Sequence, residues 1–329
     1  MMRLRDARRA ICADYYSETP FFNLSAQVKD TEWIVIIYYA ASIYISAGLI
    51  NQINWIAQAT NSWDFLWPLV WVEGLNIPLV LELLSIACFL SSLLALQFRR
   101  HLAARGLFSF VFLMAATVTN SLGGINHPYH AWFWVSLVLL FLPNGNPEKF
   151  GRASKLSYCT VILAAQALFL LFYSMAGAWK ILIGLIDLTN GQPGNFSPGA
   201  LSWTLANRIL QTGTDPILAD LFIHNLWLAW PLFIATMYFQ LVSVVVAFRP
   251  RLHVLWGYLL ISFHLGTWLL MEIIFTQHVL LLIILLVLSP QRRAFSSLGG
   301  ALRDLPILGP VFGHFVSGDA KTVCARSTT

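Results

Sequence analysis

The residues best suited to chemistry in this 329-residue sequence are ionisable groups inside long apolar segments, and Lys180 is the most unusual of them. It follows Tyr173 by seven positions and precedes Asp187 by seven, so that all three would share one face of a helix. Gly177 and Gly184 would let another helix approach that face closely. A lysine deprived of water there is suited to act as a general base at neutral pH. The alternative is a lysine whose ammonium extends to the lipid headgroups, and the local sequence favours neither.

Two histidines, His127 and His130, lie in the segment Gly123-Gly-Ile-Asn-His-Pro-Tyr-His130. Histidines three apart can bind a metal on a helix, but Pro128 between them disrupts that geometry, and we predict no metal site. An interfacial pair, or one member of a proton relay, is the better interpretation. The further candidates for substrate binding or proton relay, besides His130, are Tyr173, Glu82, His264 and Glu272. For the last three, the alternative is a packed residue or one at the membrane edge.

Composition indicates the elements that must hold these residues. The chain is 58% hydrophobic and only 11% charged, against about 25% charged in an average soluble domain. This composition excludes a disordered chain, a coiled coil, a disulfide scaffold and an ordinary cytosolic enzyme. Because about 20 apolar residues cross a bilayer core, we predict an all-α, polytopic membrane bundle of about eight helices. The predicted spans are 33–49, 77–97, 107–122, 131–142, 158–185, 226–248, 254–273 and 277–289.

The basic residues predict the orientation of these spans, since cytoplasmic loops attract lysine and arginine. Lys180 and Arg208 are two of the 20 basic residues, and the other 18 lie in every second segment outside the predicted spans, which places them all on one side of the membrane. The segments that hold those 18 are 1–32, 98–106, 143–157, 249–253 and 290–329. The alternation predicts that both chain ends are cytoplasmic. The excess of basic residues, a net charge of +5, is then explained by the orientation of the chain in the lipid bilayer. We therefore predict no nucleic-acid partner.

We predict one membrane domain over residues 1–290 and a short cytoplasmic tail over 291–329. In this topology the ionisable candidates fall toward the extracytoplasmic side. Because an isolated charge inside a bilayer costs about 2.5–3.5 kcal/mol or more, Lys180, His127 and Glu82 should line one cavity open to that leaflet. The largest extracytoplasmic loop is 186–225, in which residues 200–210 are predicted to form a short helix.

Three segments of the sequence form a recognisable set: Asn126-His-Pro-Tyr-His130 before an apolar span, Tyr173-x3-Gly177-x2-Lys180, and Phe263-His-Leu followed by Ile274-Phe275. Together they resemble the HTTM family, the membrane domain shared with vitamin K-dependent gamma-carboxylases. The resemblance covers most of residues 1–290. It implies that Lys180 is the base that deprotonates a hydroquinone, that His127 is a second catalytic residue, and that a quinone or hydroquinone is bound. The carboxylases also carry a large extramembrane portion, which the residues after 289 do not supply.

The favoured function is therefore a membrane enzyme that acts on a quinone or another lipid-soluble small molecule at the extracytoplasmic side. One alternative is a non-catalytic membrane partner or anchor of an envelope protein, with the loop 186–225 as the contact surface. Another is a transporter that uses the polar residues as a midplane site, although they lie in the outer half only and no inverted repeat is visible. We expect a multi-pass protein, in the plasma membrane if the source is bacterial.

Overall fold

The structure, a computed structural model, describes residues 23–59, 63–122, 127–292 and 304–309. All regular elements within these ranges are helical. The α-helices are α1 Leu24–Ala59, α2 Ile77–Gln97, α3 Leu102–Val118, α4 His130–Leu139, α5 Arg152–Thr189, α6 Ala200–Thr212, α7 Ala219–His224, α8 Leu226–Val246, α9 His253–Met271 and α10 Thr276–Leu282. A π-helical turn, Ile283–Val287, continues α10.

Five of these helices, α1, α2, α5, α8 and α9, are long and apolar enough to cross a membrane. Three shorter apolar helices, α3, α4 and α10 with its π turn, overlap the remaining predicted spans, 107–122, 131–142 and 277–289. This all-helical architecture is consistent with the predicted multi-pass membrane protein. Helix α4 has ten residues and rises about 15 Å, half of a bilayer core of about 30 Å. The count of eight spans stays a prediction.

Helices α1 and α5 extend well beyond their predicted spans, 33–49 and 158–185. They have 36 and 38 residues and rise about 54 and 57 Å, more than the thickness of a bilayer core. Hydropathy marks only the part of a helix that lipid would surround. The polar residues that flank this part continue the same helix. The positions of these helices were therefore predicted correctly, but their lengths were underestimated.

Two compact units divide the chain. The first, here called the Lys180 unit, contains residues 170–274 and the described residues 291–292 and 304–309. The second, here called the His127 unit, contains residues 23–169 and 275–290. The boundary falls within α5, so the first part of this helix belongs to the His127 unit and the last part to the Lys180 unit.

The centre of the His127 unit is aromatic and hydrogen-bonded. Tyr38 stacks on Trp132 with ring centroids 5.0 Å apart, and its hydroxyl donates to the Trp132 carbonyl at 2.9 Å. The indole nitrogen of Trp132 donates to the hydroxyl of Ser42 at 2.9 Å. All three side chains are buried. These bonds fix the first turn of α4, which begins at His130, against α1.

A charged cluster joins α1 to other helices of the His127 unit. Glu32 accepts hydrogen bonds from Arg99 at 2.9 Å and from Arg100 at 3.2 Å. The Tyr158 hydroxyl donates to the other carboxylate oxygen at 2.5 Å. One carboxylate therefore holds the start of α1 to the α2–α3 connection and to α5, which explains why α1 stays helical beyond its apolar part.

Arg105, on the first turn of α3, is only 1% exposed and binds mainly to backbone carbonyls. Its guanidinium donates to the carbonyl of Arg99 at 2.9 Å and to that of Leu142 at 2.5 Å. It also contacts the carbonyl of Leu140 and the side-chain oxygen of Asn144. A single buried cation thus ties the residues after α4 to the start of α3.

In the Lys180 unit, residues 186–225 form a small folded cap. Helix α6 confirms the helix predicted over 200–210 and extends it to Thr212. The cap and the neighbouring helices share one apolar cluster, Ala200, Leu201, Leu205, Ala229, Phe233, Met237 and Leu270. The described residues of the predicted tail also attach to this unit, because Tyr238 donates to the Pro306 carbonyl at 2.6 Å.

Candidate functional site

Lys180 lies one turn from a tight contact between α5 and α8. A Cβ atom at Gly177, one turn earlier on α5, would overlap the backbone nitrogen of Leu241. This glycine lets the two backbones meet, as predicted for small residues between membrane helices. The approach brings the buried Gln240 amide to the lysine, and Nζ of Lys180 donates to Oε1 of Gln240 at 2.8 Å.

The loop that follows α5 folds back onto Lys180. The amide nitrogen of Asn195 donates to the Lys180 carbonyl at 2.8 Å. The Phe196 ring lies over Gly184, where a Cβ atom would approach it to 2.9 Å. The indole of Trp230 on α8 donates to the Phe196 carbonyl at 3.1 Å. The helix face around Lys180 is therefore covered by α8 on one side and by this loop on another, and the lysine side chain is half-buried.

Asp187 has a different role from the one its spacing suggested. It shares α5 with Lys180, but its carbonyl accepts the N–H of Gln192 at 2.9 Å. Its carboxylate lies so close to Gly194 that a Cβ atom there would overlap it. Asp187 thus shapes the turn that ends α5. Within the described part of this unit, no Asp or Glu pairs with Lys180, whose amine has only the neutral Gln240 amide as its partner.

Tyr173 and His264 form a buried pair in the same unit. The Tyr173 hydroxyl and Nε2 of His264 are 2.6 Å apart, and both residues are only 5% exposed. This hydrogen bond connects α5 to α9, two turns along α5 from Lys180. The next residue, Ser174, accepts the backbone N–H of Val244 on α8 at 2.8 Å. The structure therefore brings together two residues that are 91 positions apart and that the sequence indicated separately.

Glu272 ends α9 at the surface. It is exposed, and its φ of 53° is in the left-handed region, where a glycine is usual. Its N–H donates to the Trp268 carbonyl at 2.9 Å and closes the last turn. The geometry is that of a helix terminus, and the exposed side chain lies outside the buried part of the unit.

In the His127 unit, the two predicted histidines meet each other. Their Nδ1 atoms are 3.3 Å apart, with His127 exposed and His130 half-buried. His130 is the first residue of α4, whereas His127 precedes the helix. Tyr129, between them in sequence, is buried against Phe112. Among the described residues, no group of three or more His, Cys, Asp or Glu is placed to hold a metal ion.

Glu82 lies on α2 of the His127 unit and is exposed. It shares a helix face with Leu79 and Ile86, each of which is 50% exposed. With the described residues of its unit, Glu82 makes no hydrogen bond or ion pair. Its grouping with Lys180 and His127 around one cavity stays a prediction, since Lys180 belongs to the other unit.

Comparison of the chain with models of known protein families, with curated proteins and with solved structures finds no match.

Two residues at Lys180 were missed by the sequence analysis. Gln240 and Asn195 carry no charge, whereas the residues that the sequence singled out inside the apolar segments all ionise. A signal for Gln240 was present, because it is a lone amide in the apolar span 226–248 and must find a hydrogen-bond partner there. Asn195 lies among turn-forming residues and gives no comparable signal.

We expect Gly177→Ala to lower the stability of the protein by about 1–3 kcal/mol, because the added methyl group forces α5 away from α8. The matched control is Gly266→Ala on α9, where a Cβ atom would meet nothing within 4 Å. That change should be neutral or stabilise by about 0.5–1 kcal/mol. Thermal unfolding of both variants in one detergent measures the difference, and equal midpoints would contradict the close approach at Gly177.

Proposed function

We propose that the protein is a membrane enzyme of the HTTM type that acts on a hydroquinone or another lipid-soluble acid, with Lys180 as its general base. The observation that supports this most is the pairing of Lys180 with a neutral amide. A lysine that only balanced charge would be expected beside a carboxylate, whereas Lys180 is half-buried and has no counter-ion among the residues of its unit that the structure describes. The resemblance of Tyr173-x3-Gly177-x2-Lys180 to the carboxylase motif supports the same role.

In the proposed step the neutral amine takes the proton of a phenolic O–H group. The products are the ammonium of Lys180 and the hydroquinone anion, and no other reactant is needed. Gln240 holds the amine in place before the step and accepts one of the ammonium hydrogens after it. Tyr173 and His264 are proposed as the relay that removes the proton, because Tyr173 lies two turns from Lys180 on α5 and forms a short hydrogen bond with His264. His127, paired with His130, is proposed as the second catalytic residue.

Spectroscopy of a bound hydroquinone tests this proposal directly. The purified protein in nanodiscs is titrated at pH 7, without oxygen, with a short-chain naphthohydroquinone. The neutral and ionised forms of this probe differ in ultraviolet absorption. The expected result is the difference spectrum of the anion, saturating with the protein and absent from empty nanodiscs. A titration in which the probe binds but stays fully neutral would remove Lys180 from the role of base.

The proposed site requires a defined orientation in the membrane. We propose that both chain ends are cytoplasmic and that the cap over residues 186–225 is extracytoplasmic, in the plasma membrane if the cell is bacterial. The basis is the alternation of basic residues between loops.

Reporter fusions should place residues 150 and 205 on opposite sides of the membrane. Residue 150 precedes α5 and residue 205 lies on α6, so one long helix separates them. An alkaline phosphatase fusion should be active only at 205, and a green fluorescent protein fusion should be bright only at 150. The same behaviour at both positions would contradict the orientation and the side proposed for Lys180.

A further inference from the structure

The charged cluster around Glu32 lies where three segments of the His127 unit meet, namely residues 23–32, 98–105 and 144–158. In these segments the described basic residues outnumber the acidic ones by six to three, without counting the buried Arg105. The basic residues are Lys29, Arg99, Arg100, Lys149, Arg152 and Lys155, and the acidic residues are Asp30, Glu32 and Glu148. This end of the unit therefore carries an excess of positive charge.

The Glu32 carboxylate cannot neutralise both of the arginines that bind it. Arg99 and Arg100 approach the same oxygen, Oε1, with Nη2 atoms at 2.9 and 3.1 Å. The other carboxylate oxygen accepts the Tyr158 hydroxyl. Two guanidinium groups are thus held close together by one negative charge, and each repels the other. One positive charge of the cluster is left without compensation, and a second anion beside it would supply that compensation.

Arg100 has a hydrogen-bond donor that an anion can reach. Its Nε and Nη2 atoms bind Glu32, whereas its Nη1 atom makes no hydrogen bond with any described residue and is not buried. The Arg100 side chain is 39% exposed, against 21% for Arg99, whose Nη1 donates to the Leu96 carbonyl. An anion can therefore bind the Arg100 guanidinium from solvent without displacing Glu32.

Two lysines lie beside Arg100. Lys29 is exposed and precedes the shared carboxylate by three residues on α1, so the two side chains are neighbours on the helix surface. Lys149 is exposed and ends a short 3₁₀ helix that packs against α1. The turn before this 3₁₀ helix is tied to the α2–α3 connection, because the Gly145 N–H donates to the Arg100 carbonyl at 3.1 Å. Neither lysine ammonium forms an ion pair or hydrogen bond with a described residue.

We propose that Lys29, Arg100 and Lys149 bind a phosphate group at this end of the His127 unit. A planar guanidinium and ammonium groups are donors suited to phosphate oxygens, and the charge of the phosphate would balance the local excess. The phosphate can belong to the headgroup of an anionic phospholipid or to a soluble phosphate compound, since the chemistry of recognition is the same for both. This site does not depend on the base proposed at Lys180, which belongs to the other unit.

Isothermal titration calorimetry tests the proposal on the full chain in dodecyl maltoside, a detergent without phosphate. Dihexanoyl phosphatidylglycerol, dihexanoyl phosphatidylcholine and inorganic phosphate are added separately at pH 7 and low salt. The expected result is saturable binding of phosphatidylglycerol and of inorganic phosphate, with phosphatidylcholine weaker by about fivefold or more because it carries no net charge. Tighter binding of phosphatidylglycerol than of inorganic phosphate assigns the lipid headgroup as the source, and similar binding of the two assigns a soluble phosphate compound. No saturable binding of either anion, or equal binding of the two lipids, would overturn the proposal.

Variants of equal charge separate this site from a general effect of net charge. Lys29→Gln removes one ammonium and leaves every contact of Glu32 in place, so it should lower the affinity for the bound anion about fivefold. Arg208→Gln removes the same charge from the cap of the Lys180 unit and should leave the affinity unchanged. Arg100→Gln should lower the affinity about tenfold, as for a lost charge-assisted hydrogen bond.

The Lys29 variant decides the question even if Arg100→Gln, which also loses its bonds to Glu32, fails to fold. Unchanged affinity in Lys29→Gln, or equal losses in Lys29→Gln and Arg208→Gln, would overturn the proposal.

Discussion

Replacement of Lys180 by methionine is expected to abolish the hydroquinone-anion spectrum while the protein still inserts and unfolds normally. Methionine keeps an apolar side chain of similar length and removes the amine, and a general base contributes about 10²–10⁴-fold to a proton transfer. Gln240 would lose its partner, so a small loss of stability of about 1 kcal/mol should accompany the change. The measurement is the anaerobic titration at pH 7, together with the thermal midpoint of the same sample.

Two further variants distinguish the base from a simple positive charge. Lys180→Arg should also give no anion, because a guanidinium stays protonated and cannot accept the proton. Lys155→Met, a lysine change near the other end of α5, should leave the spectrum intact. A fully active Arg variant would show that Lys180 supplies only charge or an anchor to the headgroups. The proposed enzyme would then have no general base at this position.

Replacement of Arg105 by methionine should cause the largest loss of stability in the His127 unit, about 3–5 kcal/mol. The change leaves the buried carbonyls of Arg99 and Leu142 without their donor, and each unmet buried group costs about 1–3 kcal/mol. Loss of the contact to Asn144 adds to this. The expected result is a fall in the thermal midpoint, or a failure to accumulate as a single species in gel filtration.

The control for Arg105 is an arginine that the fold does not use. Arg152 begins α5, is exposed and makes no hydrogen bond with the described residues, so Arg152→Met should change stability by less than about 0.5 kcal/mol. Arg105→Lys should recover only part of the loss, since an ammonium cannot reach carbonyls on both sides as a planar guanidinium does. If Arg105→Met and Arg152→Met unfold together, the buried guanidinium is not what holds α3 to the end of α4.

The positions of the long helices were predictable because lipid imposes a simple requirement on sequence. About 20 apolar residues are needed in one run, and α2 coincides with its predicted span, 77–97. The lengths of α1 and α5 were not predictable in this way, because contacts such as those of Glu32 continue a helix after its apolar part ends. A hydropathy profile does not record contacts between polar side chains.

The pairing of side chains was less predictable than the helices themselves. Helical spacing placed Asp187 on the same face as Lys180, but the turn after α5 uses its carbonyl and packs Gly194 against its carboxylate. The hydrogen bond between Tyr173 and His264 depends on how α5 and α9 pack, and spacing within one helix cannot show it. The mutual contact of His127 and His130 was predictable, since only two residues separate them.

The bond from Asn195 to the Lys180 carbonyl has a thermodynamic consequence for the cap. Whatever holds residues 193–199 in one conformation also restrains the backbone that carries the amine. Coupling of this kind is reciprocal. If the ordered cap favours the binding of a molecule beside Lys180, the bound molecule must stabilise the ordered cap by the same free energy. Slower amide hydrogen exchange in residues 193–206 would then report occupancy of the lysine site at a distance from it.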